Sequence, residues 1–247
     1  MNGRASSSIG AFSELAGAGL VGPSCQQCAL ERTAGRNYCG ACGNLLRPRC
    51  ERKQVTVLIA DVSGFTTLSA QLDPEQVSEI MHRTFDVVLE AVHEHGGTVN
   101  QFLGDGVMAL FDEDRLEHHA GRALDAALAI QEHIETVRRE VRRSYGLEFR
   151  IRIGINTGPV VIGTIGAALR SDYTATGATA SAALGLLQIA EPGQIVVTER
   201  TRALAAGRHG FAEFGAMPLT KSGETAVVYE LSGHGAPYTG GAVLAAA

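Results

Sequence analysis

Between residues 54 and 232 the apolar positions follow two periods that alternate along the chain. Val55, Val57 and Ile59 alternate with Thr56 and Leu58 in a mostly apolar run ending at Asp61, the pattern of a largely buried strand. Pro74 opens a helix with Glu75 in its first turn, and Val77, Ile80, Met81, Phe85, Val88 and Val92 recur at helical spacing until Gly96-Gly97. Period two returns in Thr98–Leu103 and Val107–Phe111, two strands joined by a Gly104-Asp105-Gly106 turn. Leu116, Ala120, Leu124, Ala127, Ile130, Ile134, Val137 and Val141 then mark a second long helix, and Phe149, Ile151, Ile153 and Ile155 the next strand. This β-α-β-β-α-β order predicts an α+β domain of ferredoxin-like plan. A separate strand at Val160–Ile165, a short helix at Ala178–Ile189, a strand at Gln194–Val197 and a terminal strand pair at Phe211–Phe214 and Ala226–Leu231 extend it.

Composition adds boundaries. The 247 residues are 45% hydrophobic, enough for one sizeable core and a small appendage. Residues 1–24 and 233–247 are rich in Gly, Ala and Ser, and are expected to be a disordered N-terminal segment and a flexible tail. Between them the expected divisions are a metal ribbon over 25–46, a linker over 47–53 and the main domain over 54–232. A net charge of −5 argues against a general nucleic-acid surface. There is no long apolar run and no compact signal-peptide-like stretch, so no membrane span and a cytoplasmic location are expected.

Four of the five cysteines stand as Cys25-x2-Cys28 and Cys39-x2-Cys42. Each pair turns two thiolates toward one ion, and four thiolates complete a tetrahedral Zn²⁺ site. Disulfides or free thiols are the alternatives, and a cytoplasmic chain disfavours the first. No open coordination position is suggested, so the zinc would be structural, holding together a segment too short for its own core. Cys50 reads as a bystander. Arg47, Pro48, Arg49, Arg52 and Lys53 read as a solvated linker, and Arg138, Arg139, Arg142 and Arg143 as a solvated helix face. His93, His95, His118 and His119 read as helix-end or solvent-facing histidines without a catalytic role.

Within the main domain, Val57-Leu-Ile-Ala-Asp61-Val-Ser-Gly-Phe-Thr66 resembles the opening of class III adenylyl and guanylyl cyclases. Further matches follow in register: His95-Gly-Gly-Thr98, Phe102-Leu-Gly-Asp105-Gly-Val-Met-Ala109, Ile153-Gly-Ile-Asn-Thr-Gly158, Asp172-Tyr-Thr174, Glu191-Pro-Gly-Gln-Ile195 and Val228-Tyr229. The preceding ribbon is similar to one found in bacterial members. The resemblance implies a two-metal phosphoryl transfer on ATP or GTP at a site shared between two protomers of a homodimer or heterodimer. One protomer's metal ligands would be Asp61, the Val62 carbonyl and Asp105, holding Mg²⁺ or Mn²⁺. Ser63, Gly64, Phe65 and Thr66 would receive the triphosphate at a helix start.

The other half departs from the family pattern. The base-reading Lys position is Gln101, and its companion is Thr174. The transition-state Asn and Arg positions are Ser181 and Gly185. By analogy with arginine fingers, losing that Arg costs roughly 10³ to 10⁵ in rate, unless Arg170, Lys221 or another cation substitutes. The expectation is therefore an intact metal half and an eroded transition-state half. The activity would be weak or partner-dependent, with a catalytically inactive regulatory module as the alternative. On helix propensity alone, position 185 should accept arginine.

Overall fold

The computed structural model describes residues 25, 27–30, 39–43, 51–112, 116–165, 172–205, 207–219 and 225–234. The expected N-terminal disordered segment, residues 47–50 of the linker, nearly all of the tail, Arg170 and Lys221 lie outside them. The chain divides into two units, Met1–Arg49 and Cys50–Ala247.

The larger unit runs β1 (Glu51–Ser63), α1 (Phe65–Gln71), α2 (Pro74–Glu94), β2 (Thr98–Leu103), β3 (Gly106–Phe111), α3 (Leu116–Tyr145), β4 (Arg150–Ile165), β5 (Asp172–Thr176), α4 (Ala178–Ile189), β6 (Ile195–Thr198), α5 (Glu199–Leu204), β7 (His209–Pro218) and β8 (Thr225–His234). The strands form one sheet in the order β2-β3-β1-β4-β6-β8-β7, with β5 paired to β4. Its β2-β3-β1-β4 part is the predicted ferredoxin-like arrangement, and β6 joins it parallel to β4. An Asp73–Gln76 capping box sets the start of α2, where the sequence signalled Pro74.

β1 is covered on both faces, which explains its nearly continuous apolar run. Leu58, Ala60 and Val62 pack with residues of α2 and α3 such as Val88, Val92 and Ile130. Val55, Val57 and Ile59 pack with Ala180, Ala183 and Leu187 of α4.

Three local expectations change. Phe149–Ile155 and Val160–Ile165 are one strand, β4, not two. Thr157-Gly158-Pro159 looks like a turn, but β1 pairs with β4 along its whole length, from Ser63↔Arg150 to Glu51↔Ile162, and that pairing overrides the local signal. By the same pairing β1 begins at Glu51, so Glu51–Lys53 of the expected linker are strand. His119, expected at the surface, is buried. Its Nδ1 lies 2.7 Å from the Thr56 hydroxyl, which lies 2.8 Å from that of Thr157. Contacts of 3.0 Å to Thr201 and 3.2 Å to Thr198 continue the chain, and Thr198 donates to Asn156 Oδ1 at 2.8 Å. Of the basic run on α3, Arg138 is mostly buried and donates to the Phe149 carbonyl at 2.8 Å, while Arg139, Arg142 and Arg143 are exposed as expected.

Burial holds the His119 imidazole below its usual pKa, against the pull of Asp112, and its Nε2 has no partner among the described residues. Below the ordinary histidine pKa the unfolded chain therefore binds more protons than the folded one. Acidification from pH 7.5 to 5.5 should lower the unfolding free energy, by at most about 1.4 kcal/mol per pH unit from this group. Urea unfolding of wild type and His119→Gln checks this. The variant should lose that part of the slope, and an unchanged slope would mean that His119 is not the group responsible.

Candidate functional site

The strand register builds the site. Asp61, near the end of β1, pairs with Gly106 of β3, and the next residue's N–H, of Val62, donates to the Asp105 carbonyl at 3.3 Å. The turn carrying Asp105 is thus pressed against Asp61. Gly106 permits the approach: a Cβ there would sit 2.9 Å from the Ala60 carbonyl oxygen and 3.4 Å from Asp61 Oδ1. Gly64 has φ +99°, a left-handed conformation that turns the chain from β1 into α1. Phe65 and Thr66 open α1, so their N–H groups have no carbonyl partner within the helix. Ser63 Oγ is buried without a hydrogen-bond partner among the described residues.

β4 adds a residue that the sequence reading did not single out. Arg152 pairs with Asp61 across β1 and β4. Its Nη2 is 2.7 Å and its Nε 2.9 Å from Asp61 Oδ2, so one carboxylate oxygen accepts both guanidinium donors. Asp61 and Asp105 together offer hard oxygen ligands for a divalent metal, and the unpartnered Ser63 hydroxyl beside them fits a site shaped for a polar guest.

The residues of the other expected half lie on β2, β5 and α4. Gln101 is half-buried on β2, opposite Met108 and just after a register shift. Next to it, Phe102 is exposed and meets Phe85 edge-on at 5.3 Å. Thr174 pairs with Gly163 through the backbone of β5. Ser181 is exposed on α4, and its hydroxyl donates to the Gly177 carbonyl at 3.3 Å. Gly185 overturns the expectation of tolerance. It is buried, and a Cβ there would lie 1.9 Å from the Leu219 carbonyl oxygen and 2.8 Å from its carbon. The main chain after β7 occupies the space that an arginine at this position needs.

In the smaller unit the four ligand sulfurs lie within 4.8 Å of one another. Cys25 and Cys42 are 3.6 Å apart, and Cys28 and Cys39 3.5 Å. A tetrahedron of about 2.3 Å Zn–S bonds has edges of about 3.8 Å, so the spacing fits zinc. The two turns repeat one another. Ala29 N–H donates to the Cys25 carbonyl at 2.8 Å and Gly43 N–H to that of Cys39 at 3.0 Å, with left-handed φ of 57° and 69°. The N–H groups of Cys28 and Gln27 lower the Cys25 thiol to about 6, and those of Cys42 and Ala41 lower Cys39. The Leu30 N–H pulls Cys28 down, but the surrounding thiols and burial push it up to about 12. Backbone donors aimed at sulfur favour the thiolate, the form that binds metal.

Residues 49–233 match the family described as the adenylate and guanylate cyclase catalytic domain. Over 133 residues the chain is 40% identical to adenylate cyclase 1 of Rhizobium meliloti (strain 1021), covering 53% of this chain and 20% of that protein. It is 30% identical over 129 residues to an adenylate cyclase of Anabaena cylindrica, covering 51% of this chain and 25% of that protein. Among solved structures, the adenylyl cyclase CyaB from P. aeruginosa superposes with a TM-score of 0.72 at 26% identity, over 76% of this chain and 98% of that one. The guanylyl cyclase Cya2 does so with a TM-score of 0.67 at 28% identity, over 77% of this chain and 97% of that one.

The Gly185 contact makes a prediction with a sign. Propensity alone favours Gly185→Ala by about 1 kcal/mol. The Leu219 main chain should reverse this, leaving Gly185→Ala destabilised by about 1–3 kcal/mol and Gly185→Arg by more. Thermal melting of both variants measures it, and a stabilised Gly185→Ala would show that Leu219 does not cover the position.

Proposed function

Because this chain belongs to the adenylate and guanylate cyclase catalytic domain family, we propose that it is a cytoplasmic purine nucleotide cyclase subunit, converting ATP to cyclic AMP and pyrophosphate, with activity that is weak alone and completed by a partner domain. The observation that carries this reading is the contrast between the two halves. The backbone brings the Asp105 turn next to Asp61, with Val62 N–H donating to the Asp105 carbonyl, while the position assigned to the arginine is Gly185, under Leu219.

In the reaction, the ribose 3′-oxygen attacks the α-phosphorus and gives its proton to solvent water as the bond from the α-phosphorus to the pyrophosphate oxygen breaks. Divalent metal, Mg²⁺ or Mn²⁺, supplies charge neutralisation at the α-phosphate and leaving group and acidifies the 3′-hydroxyl. Asp61, Asp105 and the Val62 carbonyl are the residues assigned to hold it. Ser63, Gly64, Phe65 and Thr66 take the triphosphate, with the open α1 N–H groups as donors. Gln101 and Thr174 read the base, Gln101 loosely because its amide both donates and accepts. Ser181 contributes a hydroxyl with shorter reach than asparagine. Because each site is shared, Gln101, Thr174 and Ser181 belong to the site opposite the partner's aspartates, and the site built on this chain's Asp61 and Asp105 takes its base-reading residues, Asn and Arg from the partner, a second cyclase domain.

One observation favours the alternative, a module that binds nucleotide or a partner cyclase without turnover. Arg152 already pairs with Asp61, so that carboxylate has a cationic partner without metal. In the cyclase reading the same contact makes Arg152 a competitor of the metal for Asp61 Oδ2. Nucleotide-free protein should therefore bind Mn²⁺ more tightly as Arg152→Met, by about fivefold for a partly exposed pair. Asp61→Asn should weaken binding at least tenfold. Mn²⁺ titration followed by electron paramagnetic resonance checks both, and unchanged affinity in Asp61→Asn and Asp105→Asn would remove the metal assignment. For turnover, the chain is mixed with a cyclase domain that keeps its Asn and Arg but lacks its own aspartates. Cyclic nucleotide should appear only in the mixture and vanish with Asp61→Asn. A mixture as silent as either component would favour the binding module.

The ribbon is assigned one structural Zn²⁺ through Cys25, Cys28, Cys39 and Cys42, supported by the sulfur spacing. Elemental analysis should give one zinc per chain, lost in a Cys39→Ser, Cys42→Ser variant. The separate core of the larger unit should keep its melting temperature in that variant.

A further inference from the structure

The larger unit contains a cavity of about 770 Å³ that the acidic site does not use. Its walls come from the second half of β4, the N-terminal turn of α4, and α5. Arg52, one of its lining residues, pairs with Val161 on β4, whereas Asp61 pairs with Arg152. Its near edge, Asn156, pairs with Val57, four strand positions or about 13 Å along β1 from Asp61, and its far edge, Arg52, is nine positions or about 30 Å away. Its volume falls in the range of small-molecule sites.

The lining is mostly small and apolar, including Ala178, Ala182, Ala203 and Leu219, but its charge is one-sided. Arg52 and Arg200 both line it. Arg52 makes no ion pair among the described residues, and Arg200 donates to the neutral amide of Gln54 at 3.2 Å. Glu199, the one acid among the lining residues, is already engaged by both Nε and Nη2 of Arg202 at 2.9 Å, which holds its carboxyl below the usual range. The positive charge at the cavity is thus uncompensated by its own acid. Asn156 lies in the lining with one amide N–H donated to the Thr179 carbonyl at 3.0 Å, and its amide carries a second. The α4 helix begins at Gly177 without a side-chain cap, so its dipole adds partial positive charge on the same wall.

We propose that this cavity is a second ligand site, for a small organic anion with an apolar body: a carboxylate, sulfonate or phosphate monoester. The anionic group takes the Arg52 and Arg200 guanidinium groups, and the apolar body lies against the alanines and Leu219. The assignment does not depend on the cyclase reading, because none of its residues belongs to the acidic site.

The test uses 8-anilinonaphthalene-1-sulfonate, an apolar anion whose fluorescence rises on leaving water, titrated into the full native chain. The expected result is saturable binding of one probe per chain. Arg52→Gln with Arg200→Gln should weaken it at least tenfold, the loss of a charge-assisted contact. Ala203→Phe should block it by filling the cavity from an exposed position of α5, and unchanged circular dichroism would show that both variants keep the fold. The uncharged parent, N-phenyl-1-naphthylamine, should bind at least tenfold more weakly. Binding that survives both variants, or that involves several probes per chain, overturns the proposal. So does displacement by ATP together with loss in Asp61→Asn, which would place the probe in the acidic site instead. Inorganic phosphate and a short-chain fatty acid, tested as competitors, distinguish the phosphate from the carboxylate class.

Discussion

The antiparallel pairing of β1 with β3 on one side and β4 on the other is the constraint on which the rest of the larger unit depends. It runs for thirteen residue pairs against β4 and six against β3. A slip of one residue would exchange the two faces of β1, putting Val55, Val57 and Ile59 where Thr56, Leu58 and Ala60 now sit. Two separate cores would then be wrong at once, since one face meets α2 and α3 and the other meets α4. The same register places Asp61 opposite Gly106 and Arg152. The acidic site is therefore positioned by hydrophobic burial several residues away, and its polar residues need contribute little to the fold.

That division explains what could be read from the sequence. The end of an apolar alternation marks Asp61, and a turn of two glycines marks Asp105, because strand ends and turns leave local signals. Arg152 leaves none. It occupies a polar position in an alternating strand, where a solvent-facing residue would look identical, and only pairing with Asp61 gives it meaning. Thr157-Gly158-Pro159 misleads in the opposite direction, since its local chemistry signals a turn while a thirteen-residue partner holds it extended. His119 is buried because Thr56 and Thr157 offer hydroxyls inside the sheet, and threonines in a strand pattern do not announce a polar chain. The cysteine turns were legible from spacing, but not the left-handed Ala29, because alanine is not a residue that requests that conformation.

Gly185 shows the limit most sharply. Judged as a helix residue, it is a weak point that almost any substitution would improve. Judged by packing, it is the contact that lets the chain after β7 lie on α4, with Leu219 joining Ala182, Leu186, Val196 and Val228 in a third apolar cluster. The two readings assign opposite histories to the same glycine. If the position were merely eroded, the space of the lost side chain would be empty and the loss reversible by one substitution. Here the space is filled by main chain, and the terminal hairpin has closed over it. A return to arginine would require Leu219 to move, and with it the β7 end that packs beside β8. Gly185 is thus fixed by the packing of the domain, and in the proposed cyclase reading a cation for that place has to come from outside the helix.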